Sequence, residues 1–121
     1  MRHLIKGRKL GREKAQREAL INGLIANLVL SEKIMTTEAK AKEIKPVMDK
    51  IITKVKKAGS DAQKKVSTIR DLRKDLNSEC VKKLFGEFIK KFEGRNSGYT
   101  RIIKLSERKS DSAKMAVIEF V

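Results

Sequence analysis

The spacing of the apolar residues changes near Gly94, and this change is the strongest constraint on the fold. Before Gly94, apolar side chains recur every three or four residues, most regularly over Val81–Phe92, which holds three of the four Phe residues. Such spacing is typical of helices with one buried face. After it, Tyr99–Leu105 and Met115–Val121 are rich in β-branched and aromatic residues, which favour strands. The sequence therefore predicts an α+β fold.

Helix end signals divide the first part of the chain into about four helices. Pro46 is the only proline, and it predicts a kink in the second helix, with a clean break as the less favoured outcome. Side chains that cap helix N-termini and glycines that end helices give the boundaries. The predicted helices are Glu13 to about Leu30; a second from the N-cap Thr37 to Gly59; a third capped by Ser60 with Asp61 in its first turn; and a fourth capped by Asn77 or Ser78 and ended by Gly94.

Three short strands are predicted to form one small sheet. Tyr99–Leu105 and Met115–Val121 flank the polar loop Ser106–Ala113, so they can pair as an antiparallel hairpin. Ile34–Thr37 is a candidate third strand. We therefore expect about four helices packed on a three-stranded sheet in a single domain, 13–121, preceded by a basic extended N-terminal arm, 1–12.

The charge of the chain indicates a polyanionic partner. The 121 residues include 30 Lys and Arg against 15 Asp and Glu, a formal net charge of +15, and such an excess repels itself unless a polyanion offsets it. A membrane partner is disfavoured, because no stretch approaches the roughly 18 apolar residues that span a bilayer. The single Cys80 cannot form an internal disulfide, which favours a reducing, intracellular location.

Catalysis is not expected, because the residue types that carry it are scarce. There is one His and one Cys; His3 lies in the arm without a partner, and Cys80 is better explained as a small core residue. No CxxC, HExxH or phosphate-binding glycine motif occurs. Acidic residues fit solvated ion pairs along a helix, as with Glu38 and Lys42 or Lys40 and Glu43. We predict no enzymatic activity, metal, cofactor or small-molecule substrate.

Three basic segments are candidate nucleic-acid-binding sites: the arm with the start of the first helix, the outer face of the second helix, and the hairpin region. Arg can bind phosphate through two hydrogen bonds, whereas Lys acts as a point charge. A solvated surface remains the commoner role for a helix-face lysine, and strand core is as good an explanation of Tyr99 as base stacking. The candidate RNA-binding residues are Arg2, His3, Lys6, Arg8, Lys9, Arg12, Arg17, Lys40, Lys42, Arg95, Tyr99, Arg101, Arg108 and Lys109.

Several blocks, in order along the chain, resemble the bacterial large-subunit ribosomal protein seventeen family. No single block is specific, but the set spans nearly the whole sequence. The blocks are Met1-Arg2-His3, Gly7-Arg8-Lys9-Leu10-Gly11-Arg12, Glu32-Lys33-Ile34, Thr36-Thr37, Ala39-Lys40-Ala41-Lys42-Glu43, Pro46, Val81-Lys82-Lys83-Leu84-Phe85, Arg95-Asn96, Gly98-Tyr99-Thr100-Arg101-Ile102, Met115-Ala116 and Ile118-Glu119.

The resemblance implies a structural protein of the cytoplasmic bacterial ribosome. It implies binding to large-subunit ribosomal RNA near the rim of the peptide exit tunnel, beside other ribosomal proteins. The chain departs from the family pattern at Leu4 and Ile5, where basic residues are usual. On charge alone, a free nucleoid-type or regulatory DNA-binding protein is the alternative, although no helix-turn-helix, zinc-finger or basic-zipper pattern is present.

Overall fold

A computed structural model describes residues 7–59 and 61–121 of the chain. Its elements follow the predicted order, with one additional 3₁₀ helix before the hairpin. They are α1 (Lys14–Ser31), β1 (Lys33–Thr37), α2 (Glu38–Ala58), α3 (Ala62–Leu72), α4 (Ser78–Phe85), the 3₁₀ helix (Glu87–Phe92), β2 (Thr100–Lys104) and β3 (Met115–Phe120). The predicted α+β class is confirmed.

The sheet is antiparallel and has the order β1-β3-β2, so β3 is the central strand. Ile118 of β3 lies between Ile34 of β1 and Ile102 of β2. Ile118 is fully buried, and both of its neighbours pack against the core. The predicted hairpin and the third strand are therefore both confirmed.

Helix α2 carries the largest part of the core. Its buried residues are Ala41, Ile44, Met48, Ile52, Val55 and Ala58, spaced so that they fall on one helix face. This face packs against all three strands and against α1, which contributes Ile25, Leu28 and Val29. Pro46 lies within α2, which continues through it without a break.

Two of the three predicted helix caps agree with the structure. Thr37 accepts a hydrogen bond from the Lys40 backbone N–H, and Asn77 accepts one from that of Cys80 at 2.8 Å. At α3 the prediction of Ser60 as the cap is wrong. Asp61 is the N-cap, and its carboxylate accepts hydrogen bonds from Gln63 and Lys64; Ser60 itself lies outside the described residues.

The predicted fourth helix is interrupted at Gly86, so its continuous extension to Gly94 is wrong. Helix α4 ends at Phe85, Gly86 has an extended backbone (φ −88°, ψ −149°), and the 3₁₀ helix then ends at Phe92. Glycine tolerates such a change of direction at little steric cost. Apolar spacing could not reveal the break, because the side chains on both sides of it enter the same core.

The break brings four aromatic rings together beneath the sheet. The Phe92 ring centroid lies 5.4 Å from those of Phe88 and Tyr99, and 5.7 Å from that of Phe120. Edge-to-face contacts of this kind add stability beyond the area that they bury. The cluster joins the 3₁₀ helix to β3 and to Tyr99, the residue that precedes β2.

Cys80 lies in this core. Its side chain is fully buried, and burial raises the pKa of the thiol from 9.0 to about 11.

Across the described ranges, no helix is both long enough and apolar enough to cross a membrane.

Replacing Phe92 with Ala should destabilise the domain by about 3–5 kcal/mol, because it leaves a cavity at the centre of the aromatic cluster. Urea unfolding followed by circular dichroism measures this change. Val66→Ala is the matched control. Val66 is 50% exposed, so its truncation should change the free energy of unfolding by no more than about 0.5 kcal/mol. Equal effects of the two substitutions would contradict the assigned core.

The raised pKa predicts that the Cys80 thiol reacts slowly with a disulfide reagent at pH 8. A shift of the pKa from 9.0 to about 11 lowers the thiolate fraction roughly a hundredfold, and burial blocks access as well. In urea, where the chain is unfolded, the same reagent should label one thiol per chain at the rate of an exposed cysteine. Equal rates in native and denatured protein would show that Cys80 is not in the core.

Candidate nucleic-acid interface

The described part of the arm is tied to α2 by an ion pair. Arg8 Nη1 lies 2.9 Å from Glu43 Oε1. Between them and α1, the chain makes a tight turn in which the Arg12 N–H donates to the Lys9 carbonyl at 3.1 Å. Leu10 and Gly11 in this turn have positive φ angles of 53° and 66°, a conformation that glycine adopts easily and leucine only at a cost. The base of the arm therefore has a defined shape.

Several of the candidate cations lie at this base, and three lie outside the described part of the chain. Lys9 is exposed; Arg12 and Arg17 are half-buried. Arg17 Nη1 donates to the Arg12 carbonyl at 3.5 Å, which links α1 to the turn. The candidates Arg2, His3 and Lys6 lie outside the described residues.

The start of α2 presents Lys40 and Lys42 next to the arm. Lys42 Nζ lies 2.9 Å from Glu38 Oε1, and this hydrogen bond holds the pKa of the Glu38 carboxyl below its usual value. The predicted pairing of Lys42 with Glu38 is confirmed. The predicted pairing of Lys40 with Glu43 is wrong, because Glu43 bonds to Arg8.

An open hollow of about 360 Å³ joins three basic segments at this end of α2. It is lined by residues of the arm, of the start of α2 and of the end of the hairpin loop: Arg8, Thr37, Glu38, Ala39, Lys42, Ala113 and Lys114. The backbone N–H of Glu38 donates to the Lys114 carbonyl at 2.9 Å, which fixes the loop to the helix. The structure thus brings together segments that lie about a hundred residues apart in the sequence. Lys114 was missed as a candidate because only this tertiary contact places it here.

The hairpin loop is braced by an ion pair of its own. Arg108 makes two hydrogen bonds to the Asp111 carboxylate, at 2.9 and 2.7 Å. These bonds, together with one from the Ala113 N–H, lower the pKa of Asp111 to about 2. Asp111 therefore stays ionised from neutral pH down to about pH 2, and the pairing is lost only as the pH falls through that value. Arg108 is therefore paired within the loop, whereas Lys109 beside it is exposed.

Arg101 lies on the outer face of the sheet. Its Nε is 2.7 Å from Glu119 Oε1, and Lys33 approaches the other oxygen of the same carboxylate at 3.8 Å. Because β3 lies between β1 and β2, Glu119 lies between the two cations. Its single negative charge can neutralise only one of their two positive charges. Arg101 is exposed but already paired.

Tyr99 is a core residue, which decides between the two explanations left open by the sequence, core packing and base stacking. The side chain is 2% exposed, and its ring packs edge-on against Phe92, so neither face is open to a base. The Tyr99 hydroxyl donates to the Arg95 carbonyl at 3.3 Å. Lys56 of α2 donates to the same carbonyl. Tyr99 therefore positions the turn that presents the exposed Arg95.

Within residues 7–59 and 61–121, no cluster of three His, Cys, Asp or Glu residues is arranged to hold a metal ion. What the described surface offers is a set of cations on a fixed scaffold, and such cations form charge-assisted hydrogen bonds with anionic partners.

Comparison with known proteins assigns the family. The model of the family described as ribosomal protein L17 matches residues 20–121. The chain belongs to the ribosomal protein L17 family. This confirms the resemblance drawn from the sequence blocks.

Individual relatives of the L17 family match over nearly the whole chain. Large ribosomal subunit protein bL17 of Chlorobium chlorochromatii is 49% identical over 115 residues, which are 94% of this chain and 71% of that protein. The protein of the same name from Chlorobium phaeovibrioides is 48% identical over 121 residues, but the chain spans only 66% of its length. The bL17 of Shouchella clausii is 42% identical over 116 residues, 93% of this chain and 97% of that protein.

Replacing Asp111 with Asn should strengthen RNA binding by this L17-family chain, because it removes one negative charge and releases Arg108 for phosphate. Fluorescence anisotropy with a labelled duplex RNA measures the affinity; its logarithm against the logarithm of salt concentration should steepen by about one. Glu107→Gln is the control, since it removes the same charge from the same loop without releasing an arginine. Identical effects of the two substitutions would mean that the Arg108–Asp111 pair does not restrain binding.

Proposed function

We propose that the chain is a structural constituent of the large ribosomal subunit and binds large-subunit ribosomal RNA. The observation that carries this proposal is the family match over residues 20–121. Relatives that match most of the chain bear the name large ribosomal subunit protein. The net charge of +15 supports a polyanionic partner independently of any likeness.

The proposed binding surface is centred on the first half of α2. The arm and the hairpin loop converge there around the hollow that contains Arg8, Lys42 and Lys114. A phosphate group in this hollow would meet cations from three segments at once, and charge-assisted hydrogen bonds of this kind are stronger than those between neutral groups.

The existing ion pairs do not prevent this binding. The Arg8 side chain is 43% exposed although it pairs with Glu43, and exposed ion pairs contribute only about 0–1 kcal/mol. A phosphate can therefore displace the carboxylate or share the guanidinium with it. We infer that Glu43 and Asp111 hold Arg8 and Arg108 in place until RNA binds.

The proposal also covers the location of the protein on the ribosome, the proteins beside it and the absence of enzymatic activity. We infer a place on the cytoplasmic bacterial ribosome near the rim of the peptide exit tunnel, beside other large-subunit proteins, and no membrane or small-molecule partner. No enzymatic activity is proposed, because the Cys80 thiol is buried with a raised pKa and the family is a ribosomal one. The DNA-binding alternative has only the net charge in its favour.

The arm should supply a large share of the electrostatic affinity. If its five cations Arg2, Lys6, Arg8, Lys9 and Arg12 each contact a phosphate, the logarithm of the binding constant against the logarithm of salt concentration should have a slope of about −4 from the arm alone. Deleting residues 2–12 should flatten the slope by that amount and weaken association with large subunits.

A variant with these five cations replaced by Gln keeps the length of the arm and tests charge separately. Its salt-dependence slope should flatten by the same amount as that of the deletion variant. Sedimentation at moderate salt measures particle association, and nearly all copies of the unaltered chain should travel with large subunits. Unchanged association of both variants would rule out the arm as an anchor, and an unaltered chain that stays free of the particles would rule out the proposed function.

A further inference from the structure

A second basic surface lies between α3 and the last turns of α2, and none of its residues is among the candidate RNA-binding residues named above. Two adjoining open hollows, of about 720 and 460 Å³, follow the line where the two helices meet. We call this the α3 surface. Its charged members are Lys54, Lys57, Lys64, Arg70, Asp71 and Lys74, and its uncharged polar members include Gln63, Ser67 and Thr68.

Most cations of the α3 surface have no carboxylate beside them. Lys54 pairs with Asp71. In the described part of the chain, no carboxylate lies within ion-pair distance of Lys57, Lys64, Arg70 or Lys74, whereas Arg8, Lys42, Arg101 and Arg108 all have one. Four of the five cations of the α3 surface therefore carry a charge that no carboxylate of the described chain offsets.

Helix α3 is also weakly anchored to the protein. Leu72 at its C-terminal end is its only buried residue, with Ile69 partly buried against the core, and its main packing partner is α2. Val66, in the middle of the helix, is 50% exposed and lines the larger hollow. Burying so little apolar surface gives a helix little tertiary stabilisation, so a partner on the α3 surface would stabilise it.

We propose that the α3 surface binds the sugar-phosphate backbone of an RNA duplex, independently of base sequence. This inference rests on the proposed function for the identity of the RNA, but not for the chemistry of the site. Lysine, arginine and hydroxyl groups match phosphates and ribose 2′-hydroxyls. The surface has no aromatic residue, so it lacks the stacking platform on which single-stranded bases are held.

The α3 surface and the arm would hold RNA at two separate points. Glu43, which ties down the arm, and Lys57 are 14 residues apart on the same helix, which corresponds to about 21 Å along its axis. Because α2 is a continuous helix, the distance between the two sites is fixed. Simultaneous binding at two rigidly linked sites raises the overall affinity without any new contact.

Lysine acetylation in isolated large subunits tests where the surface lies. Lys57, Lys64 and Lys74 should react with an acetylating reagent in the free protein and be at least several-fold protected in the particle, as read by mass spectrometry. Lys82 and Lys90 are exposed and lie outside the α3 surface, so they serve as internal references. Reactivity of Lys57, Lys64 and Lys74 in the particle equal to that in the free protein would overturn the proposal.

Matched double variants of the full chain test whether the partner is RNA. Lys64→Gln/Lys74→Gln should make the salt-dependence slope for a 20-base-pair duplex RNA about 2 less steep, because two phosphate contacts are lost. Lys82→Gln/Lys90→Gln removes the same charge and should change the slope much less. Equal slopes for the two variants, or protection in the particle without a change in slope for Lys64→Gln/Lys74→Gln, would overturn RNA as the partner.

These outcomes are separable from failure of the proposed function. If the unaltered chain does not enter large subunits, the ribosomal assignment fails, while the duplex-RNA measurement still decides the chemistry of the α3 surface. If the chain enters large subunits and the Lys64→Gln/Lys74→Gln variant binds duplex RNA as the control does, only the α3 inference fails.

Discussion

The packing of α2 against the three-stranded sheet is the interaction on which the rest of the structure depends. One face of this helix, from Ala41 to Val55, is buried against the strands and α1. Its remaining surface holds the other parts in place: Glu43 bonds to the arm, Lys45 to the Thr100 carbonyl of β2, and Lys56 to the turn at Arg95. A single helix thus sets both the core and the positions of the basic segments.

Carboxylates decide which cations of this chain are available to a partner. Glu38, Glu43, Asp111 and Glu119 each lie beside one or two cations of the arm, of α2 or of the hairpin. These pairs are exposed and individually weak, so their main effect is to order the cations and reduce self-repulsion before a partner binds. Around α3, one of the five cations has such a partner, Lys54 with Asp71.

Periodicity and end signals were sufficient to predict the order of the main helices and strands, and family blocks were sufficient to predict the family. The features that sequence could not supply are those set by tertiary contact. Arg8 and Glu43 are 35 residues apart, and nothing local favours that pair over Lys40 with Glu43. Tyr99 could be assigned to core or to stacking until its burial against Phe92 was known. Gly86 was missed because a helix and a broken helix can bury the same apolar residues.

The place of β3 in the middle of the sheet has a consequence for the order in which the chain can fold during its own synthesis. Strands β1 and β2 do not touch each other; each forms its hydrogen bonds with β3, which follows both in the sequence. While translation proceeds, the helices can form from local contacts. The edge of β1 and the part of α2 that packs on the sheet can be covered only after residues 115–120 have been made. The part of that face that contacts the sheet therefore stays uncovered until β3 has been made, and the net positive charge opposes association of such chains in the meantime.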